Sequence, residues 1–479
     1  MNASRPVPGR SGMTGNPAEP SAASSSFKEK APSVVSGASK YALGLLLAIY
    51  ICNLVDRNIL SIVAQPMKED LRLDDWQIGL LSGIAFALFY VIIGFPVARL
   101  AERANRVNII SILLAVWSVM TALCGLAQSF VSLALARVGV GTGEGGCTPA
   151  SHSLLSDFFP PEKRSTAFSI YSLGIPLGPL LAGVSGGWIA DRYGWRAAFL
   201  IVAAPGLVLA AITKLTLREP PRGRYDPAPM AQAPVPSFTA VLKRLASKPT
   251  FRHVAFGAAI ATFGNYGIST FAVPYLLRGF DINLTEAAAA YGLVVGIAAS
   301  IGVFLGGWLT DRLGAADPRA YVLVPAVGAL LSAPLYVAVF LQSNLLNLAL
   351  LIIAPAVVHY FYMGPTFGLT ANMVDARMRA TASSIVILLM NLVGVGLGPV
   401  VAGLLSDVLA AQAFQPGDYA TMCPGGIAAA GASAATQEAC RAASFAGLRN
   451  AMFIFSATYA WAAAHFFLAA RTVARDTSR

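Results

Sequence analysis

RSTAFSIYSLGIPLGPLLAG at residues 164–183 and RATASSIVILLMNLVGVGLGPVVAG at residues 379–403 contain the same parts in the same order. Each begins Arg-x-Thr-Ala-x-Ser-Ile and ends Gly-x-x-x-Gly-Pro-x-x-x-Gly, and only the spacer between the two parts differs in length. A second, shorter repeat pairs ARLAERANR from Ala98 with GWLTDRLGA from Gly307. The chain therefore carries an internal repeat, with one copy in each half.

The composition around the repeat is that of a membrane protein. Of the 479 residues, 56% are hydrophobic and only 12% are charged, against about 25% charged in an ordinary soluble domain. Apolar runs of about 20 residues, each long enough to cross roughly 30 Å of hydrocarbon, recur along the chain. They predict twelve membrane-spanning helices, at 41–65, 76–101, 107–127, 129–157, 164–189, 195–217, 253–278, 285–310, 320–342, 344–371, 378–406 and 447–470. With the repeat, they predict an all-α membrane protein made of two pseudo-symmetric six-helix bundles.

The hydrophilic segments set the domain organisation and the orientation. Residues 1–39 are rich in Ser, Pro, Gly and Ala and predict a disordered cytoplasmic tail, with no cleaved signal. Bundles at 40–217 and 253–471 are joined by a cytoplasmic linker at 218–252, a long outward-facing loop covers 407–446, and a short cytoplasmic tail covers 472–479. Most Lys and Arg then fall on the tail's side, so the positive-inside rule predicts that both termini are cytoplasmic.

The net charge of +11 is explained by this bias and by attraction to anionic membrane lipids. No nucleic-acid partner is therefore expected. The four His and five Cys show no metal-ligand spacing, and no phosphate-binding glycine loop is followed by Lys, so neither a metal, another cofactor nor ATP use is expected.

Two segments leave alternatives open. The linker sequence SFTAVLKRLASK places Phe238, Val241 and Leu245 at helical spacing, which fits either a short amphipathic interfacial helix or a plain tether. Cys423 and Cys440 lie in the outward-facing loop, where a disulfide is permitted. They form either a bridge or two free thiols.

Four charged side chains lie inside predicted helices 1 and 4. They are Asp56, Arg57, Arg137 and Glu144. A charge at the bilayer centre costs at least a few kcal/mol on insertion scales, so it normally faces a partner or an aqueous cavity and marks function. Arg137 and Glu144 are seven residues apart and share one helix face, which Ser151 continues. Asn53 and Arg57, four apart, form a similar stripe on helix 1, and the set is electroneutral if the stripes meet.

The charged set has two interpretations. One is a fixed salt-bridge cluster that holds helices 1 and 4 together. The other uses carboxylates that exchange protons as access changes from one side of the membrane to the other. On this hypothesis Asp56 or Glu144, beside Arg137, carries the proton, and Arg57 with Asn53 and Ser151 holds an anionic substrate group.

Charges near the cytoplasmic ends of the helices are candidates for a gate that closes that side. They are Glu102, Arg103, Arg106, Arg164, Asp311, Arg312 and Arg379. The alternative is solvated charge that only fixes topology. Four further residues are candidates for the substrate cavity, although interhelical hydrogen bonding or packing also explains each of them: Asn265, Tyr266, Tyr360 and Asn391.

These residues carry a resemblance to a known family. The stretch 98–106 resembles the loop motif after helix 2 of major facilitator superfamily transporters, although Ala98 and Asn105 replace its usual glycines. RVGVGTGEGG from Arg137 resembles the family's helix-4 motif, and the two Gly-Pro repeats resemble its helix-5 motif. Asn53-x-x-Asp56-Arg57, taken with GVGTGEGG, is similar to the spinster-like branch.

The resemblance implies a function. It implies the major facilitator fold, with a binding site between the halves near the bilayer midplane, and a monomeric secondary transporter in a bacterial inner membrane, not an enzyme. The substrate it implies is an amphiphilic or small organic anion such as a lysophospholipid or a sphingoid phosphate. The hypothesis for Asp56 and Glu144 adds protons as coupling ions. A multidrug exporter or a proton-independent facilitator is the alternative.

Overall fold

The computed structural model describes residues 36–101, 103–222, 224–225, 237–374 and 378–477. Its regular structure is helical. The α-helices are α1 (Gly37–Ile62), α2 (Ala64–Leu71), α3 (Asp75–Ser82), α4 (Ile84–Ala101), α5 (Arg106–Gly125), α6 (Phe130–Glu144), α7 (Cys147–Phe158), α8 (Pro161–Ser172), α9 (Gly174–Leu181), α10 (Gly187–Tyr193), α11 (Trp195–Thr216), α12 (Phe238–Ala246), α13 (Pro249–Thr270), α14 (Ala272–Gly279), α15 (Leu284–Gly314), α16 (Ala320–Phe340), α17 (Leu345–Leu351), α18 (Ile353–Val358), α19 (Met363–Asn372), α20 (Arg379–Leu389), α21 (Gly398–Ala413), α22 (Tyr419–Met422), α23 (Ala434–Ala469) and α24 (Val473–Thr477). Two π-helical segments, Ala182–Gly186 and Met390–Leu397, and two 3₁₀ turns, His359–Tyr362 and Pro424–Gly426, complete it.

Helix starts coincide with polar capping residues. Each accepts a hydrogen bond from a backbone N–H of the first helical turn and satisfies a group that the helix itself leaves unpaired. The caps are Ser36, Asn105, Ser129, Asn283 and Ser433. Short polar breaks therefore separate the long apolar helices.

Consecutive helices form the membrane crossings. Ten helical runs in the described chain are long and apolar enough to span a membrane. The predicted spans 129–157 and 253–278 are helical too, but each is divided, into α6 and α7 and into α13 and α14. The predicted all-α architecture with six helical crossings in each half is confirmed.

Two faces of the molecule are named by the elements that they contain. The linker side holds the start of α1, the end of α11, the linker helix α12 and the end of α23. The far side holds α2 and the segment 414–433.

The helix boundaries correct two predicted segments. The predicted loop 407–446 is helical at both ends, because α21 continues to Ala413 and α23 begins at Ala434, after the cap Ser433. The alanine-rich sequence after Ser433 favours helix strongly. Of the predicted tail, residues 37–39 belong to α1 and residues 1–35 lie outside the described residues.

The linker contains a docked helix. In α12, Val241 and Leu245 are fully buried and pack in one core with Phe251 and Val254 of α13 and Ala382 of α20. The linker segment 226–236 lies outside the described residues. The helical alternative therefore accounts for this part of the linker, and the helix is attached to the C-terminal half.

The two halves meet closely on the far side. Gly79 of α3 packs so tightly on α21 that a Cβ there would occupy the space of the Pro399 carbonyl. A Cβ at Gly403 would likewise meet the backbone of Asp75. The absence of a side chain at these two glycines allows the helix backbones to touch.

Gly79→Ala is expected to lower stability by about 1–3 kcal/mol, because the added methyl group overpacks a backbone contact. The matched control is Gly44→Ala in α1, where a Cβ would have nothing within 4 Å. The measurement is the midpoint of thermal unfolding of the two purified variants in one detergent. Equal midpoints would contradict close packing at Gly79.

Candidate functional site

An ion pair between α1 and α6 lies at the centre of the N-terminal half. The Nε of Arg57 donates to Oε2 of Glu144 at 2.5 Å. The Glu144 side chain is fully buried, whereas that of Arg57 is 24% exposed. Arg57 is therefore the accessible member of the pair.

Two aromatic rings of α4 hold the Arg57 guanidinium in place. Its Cζ lies 5.0 Å from the ring centre of Phe86 and 4.7 Å from that of Tyr90. Phe86 also lies 5.3 Å from the Cζ of Arg137. These are cation–π distances, so one ring is in contact with both arginines.

Asp56 and Arg137 are buried beside this pair with incomplete hydrogen bonding. Asp56 accepts a hydrogen bond from the Thr121 hydroxyl, and Arg137 donates through Nε to the Leu81 carbonyl at 3.3 Å. Within the described chain, Oδ1 of Asp56, one terminal nitrogen of Arg137 and Oε1 of Glu144 have no hydrogen-bond partner. Buried charged atoms without partners are unusual and call for a functional explanation.

The helix that carries Glu144 is broken directly after it. α6 ends at Glu144, and Gly145 and Gly146 separate it from α7. A Cβ at Gly145 would meet the Tyr90 carbonyl, so the break brings this region close to α4. Ser151 is buried in α7, and the break interrupts the single helix face on which the sequence placed it.

The C-terminal half contributes a set of tyrosines. Tyr266 of α13 lies near Arg57, and Tyr360 lies near Tyr266. The Tyr291 hydroxyl approaches Oδ1 of Asn58, next to Arg57, at 3.5 Å. Two other candidates, Asn265 and Asn391, are half-buried, in α13 and in the second π-helical segment. Tyrosines of the C-terminal half therefore face the charged residues of the N-terminal half.

The candidate linker-side gate shows contacts within each half. Arg106 is buried and bonds to Asp157 at 2.5 Å and to Glu219 at 2.6 Å. Asp311 accepts from the Tyr321 hydroxyl at 3.2 Å. Arg312 lies over Trp308, while Arg103 and Arg379 are exposed. Glu102 and the Arg164 side chain lie outside the described residues, and a gate between the halves stays a prediction.

A buried charge network joins the halves on the far side. Asp75 of α3 accepts two hydrogen bonds from the Arg278 guanidinium, both at 2.7 Å, one from Lys68 at 2.5 Å and one from Ser406 at 2.6 Å. Asp407 accepts from the backbone N–H groups of Asp75 at 3.1 Å and Trp76 at 2.8 Å. Lys68, Asp75, Arg278, Ser406 and Asp407 are called the far-side cluster below.

The far-side cluster is electroneutral, with two cations and two carboxylates, when all its members are ionised. Lys68 and Asp75 are each 2% exposed and Arg278 is 8% exposed. Burial lowers the pKa of the Lys68 ammonium group, and the neighbouring Asp75 carboxylate opposes that shift. The charge on Lys68 therefore depends on Asp75.

Sequence reasoning missed this cluster because its charges lie at or near the ends of predicted spans. Hydropathy gives no sign that a charge at the end of a span is buried. One signal is present in the sequence: Ser406 ends the predicted span that contains the second repeat, three residues after Gly403, and Asp407 follows it.

The far-side segment 414–433 is tied to α23. In the structure Cys423 and Cys440 form a disulfide with Cα atoms 5.6 Å apart. Both cysteines are buried with Phe414 and Ala443. The disulfide fixes this segment against the first turns of α23.

A free-thiol count tests this disulfide. Denatured protein without reductant is expected to show three thiols, those of Cys52, Cys124 and Cys147, and the reduced protein all five. Labelling with a maleimide followed by intact-mass measurement gives both numbers. Five thiols in both samples would contradict the disulfide.

The chain is similar to known proteins over most of its length. Residues 46–399 match the Major Facilitator Superfamily. An "MFS-type efflux pump" of Mycolicibacterium smegmatis is 34% identical, over 77% of this chain and 84% of that protein. Human "Protein spinster homolog 1" is 27% identical, over 78% of this chain and 74% of that protein. A crystal structure of a bacterial homologue of the human lysosomal transporter Spinster, inward-facing and unoccupied, is 35% identical with a TM-score of 0.81, covering 92% of this chain and 98% of that one.

Proposed function

The chain belongs to the major facilitator superfamily as a transporter of the spinster type, and on that premise we propose that it moves an amphiphilic or small organic anion by proton-coupled alternating access. The observation that carries the proposal is the pair of a partly exposed Arg57 with a fully buried Glu144. A carboxylate and a guanidinium at this distance neutralise each other. Protonation of Glu144 releases the charge of Arg57 for an anion from the cavity.

Asp56 is the second proton site of this proposal. It accepts from Thr121 and has no ion-pair partner among the described residues within salt-bridge distance. With Arg57, Arg137 and Glu144 it forms a set of net charge zero, and protonation of either carboxylate leaves one positive charge. An anionic substrate restores neutrality in the low-dielectric centre, where an unbalanced charge is unfavourable. Binding of a proton therefore favours binding of an anion, and binding of an anion favours binding of a proton.

The far-side cluster supplies the closed end of the alternating-access cycle. It joins α3 of the first half to α14 and α21 of the second, where the helix backbones also touch. The likeness to inward-facing relatives supports an assignment of this conformation as inward-facing. With the positive-inside orientation, the linker side is cytoplasmic, and the far side opens when the Asp75–Arg278 contact breaks.

A second candidate is an exporter of amphiphilic drugs, which the efflux-pump relative favours. Such exporters commonly accept cationic or neutral amphiphiles. Arg57 is the partly exposed charge of the central site, and a cation would be repelled there. Charge selectivity therefore separates the two candidates.

Purified protein in liposomes with an imposed pH gradient tests the proposal. Proton flux is recorded while lysophospholipids, sugars, organic acids and cationic dyes are offered one at a time. We expect flux with an anionic amphiphile and none in protein-free liposomes. Flux only with cationic dyes would replace the proposal by the exporter, and substrate movement without proton flux would make the protein a facilitator.

A further inference from the structure

A cavity of about 120 Å³ lies within the C-terminal half. Its walls are mainly aliphatic and aromatic, with residues from α13 to α18 and from α23. Asn265, Tyr291 and Tyr360 line it. Because Tyr291 approaches Asn58, the cavity begins close to the central site. An engineered cavity of roughly 150 Å³ holds a benzene molecule. This cavity is somewhat smaller but only partly enclosed, so it accommodates a small ring.

His359 gives this cavity a polar atom without a partner. The side chain is 4% exposed and lines the cavity. Its Nδ1 lies 2.9 Å from the Pro355 carbonyl of its own helix. A carbonyl oxygen only accepts, so Nδ1 carries the hydrogen and Nε2 of the neutral ring is an acceptor. In the described part of the chain Nε2 has no hydrogen-bond partner.

The neighbouring tyrosine does not satisfy that atom. The Tyr336 hydroxyl lies 3.0 Å from Nδ1 of His359, and since Nδ1 is a donor, the tyrosine oxygen accepts there. The residues that line the cavity include no carboxylate or basic side chain besides the imidazole. A buried acceptor in such surroundings is satisfied best by a donor on a bound molecule.

We propose that this cavity is a substrate subsite for a short apolar group that carries a hydroxyl or N–H, which donates to Nε2 of His359. The inference rests on the proposed function, because it places the anionic group of the same molecule at Arg57. The substrate class is then an amphiphilic anion whose apolar part bears one hydrogen-bond donor. A purely hydrocarbon chain leaves Nε2 unpaired and binds more weakly.

Two small probes of nearly equal shape test the subsite without any knowledge of the substrate. They are 4-fluorophenol, which has a donor, and 1,4-difluorobenzene, which has none. Binding to the full-length protein in detergent is measured by fluorine NMR titration. We expect 4-fluorophenol to bind about tenfold more tightly, the scale of one buried hydrogen bond. Equal affinities, or no saturable binding of either probe, would overturn the proposal.

Three variants test whether His359 and this cavity cause the preference for the phenol. His359→Leu is expected to abolish the preference for the phenol, and His359→Gln, whose side-chain oxygen can accept, to retain part of it. Ala356→Leu, which fills the cavity next to His359, is expected to remove binding of both probes. If His359→Leu does not fold, Ala356→Leu and His359→Gln still decide the matter, since a preference unchanged in both would overturn the proposal.

The subsite and the proposed function can fail separately. Proton-coupled anion transport that depends on Asp56, with no probe preference, would leave the function in place and remove the subsite. A clear probe preference without proton flux would leave the subsite and remove the coupling.

Discussion

Proteoliposomes that carry Asp56→Asn are expected to lose pH-gradient-driven transport of the substrate. Asparagine keeps the shape of the protonated carboxyl group but can neither bind nor release a proton, so the central site loses one of its two proposed proton-binding groups. Glu144→Gln has the same consequence and also leaves Arg57 without its buried partner. In the proposed mechanism the pH gradient acts on the cycle through these two carboxylates, so we expect driven uptake in either variant to fall to the level of protein-free liposomes.

The matched control for this prediction is Asp281→Asn, the same substitution at an exposed far-side position. It is expected to transport like the unaltered protein. Exchange of labelled substrate without a pH gradient separates coupling from binding, because a variant that lacks only the proton site retains exchange. Driven uptake that survives in both Asp56→Asn and Glu144→Gln would show that these carboxylates do not carry the proton.

Asp75→Asn is expected to have the second large effect, on the conformational equilibrium. It removes the carboxylate that receives hydrogen bonds from Arg278, Lys68 and Ser406. Two buried cations then share only Asp407. A pair broken in this way costs about 3–5 kcal/mol, and conformations of a transporter differ by only a few kcal/mol. We therefore expect the population to shift toward a state that is open on the far side.

Thiol accessibility reads out that shift. With Cys52, Cys124 and Cys147 replaced by alanine, a single cysteine introduced at Ser82, close to the Arg137 contact on α3, reports water access from the far side in membrane vesicles. Asp70→Asn is the control, because Asp70 pairs with Arg196 at a position where both side chains are at least 40% exposed, and such pairs contribute little. If both variants label at the rate of the parent, the far-side cluster does not hold this side closed.

The repeat and the apolar runs were enough to predict the architecture. A run of about 20 apolar residues indicates a membrane-spanning helix, and two copies of one motif indicate two related halves. The helix boundaries are harder to predict. The loop predicted at 407–446 is shorter in the structure, because α23 already starts at Ala434, in a sequence that is rich in alanine but only weakly hydrophobic. Hydropathy measures the fit to lipid, whereas helix formation depends on backbone propensity and capping.

The sequence likewise predicts only part of the candidate site. Asp56, Arg57, Arg137 and Glu144 stand out in the sequence because each interrupts an apolar run. Phe86, Tyr90 and Thr121, which contact Arg57 and Asp56, do not, since aromatic residues and Thr are ordinary in a membrane helix. The far-side cluster can be identified only from the tertiary structure, because its charges come from α2, α3, α14 and α21, which are distant in sequence.

Burial of the far-side cluster has a consequence for a cell whose surroundings change in salinity. Dissolved ions screen charges that face water, over about 8–10 Å at physiological ionic strength, but act far less on buried pairs. Asp75 and its partners are almost entirely withdrawn from water. In the proposed orientation, the contact between the two halves on the far side is therefore much less sensitive to the salt content of the medium than a surface ion pair would be.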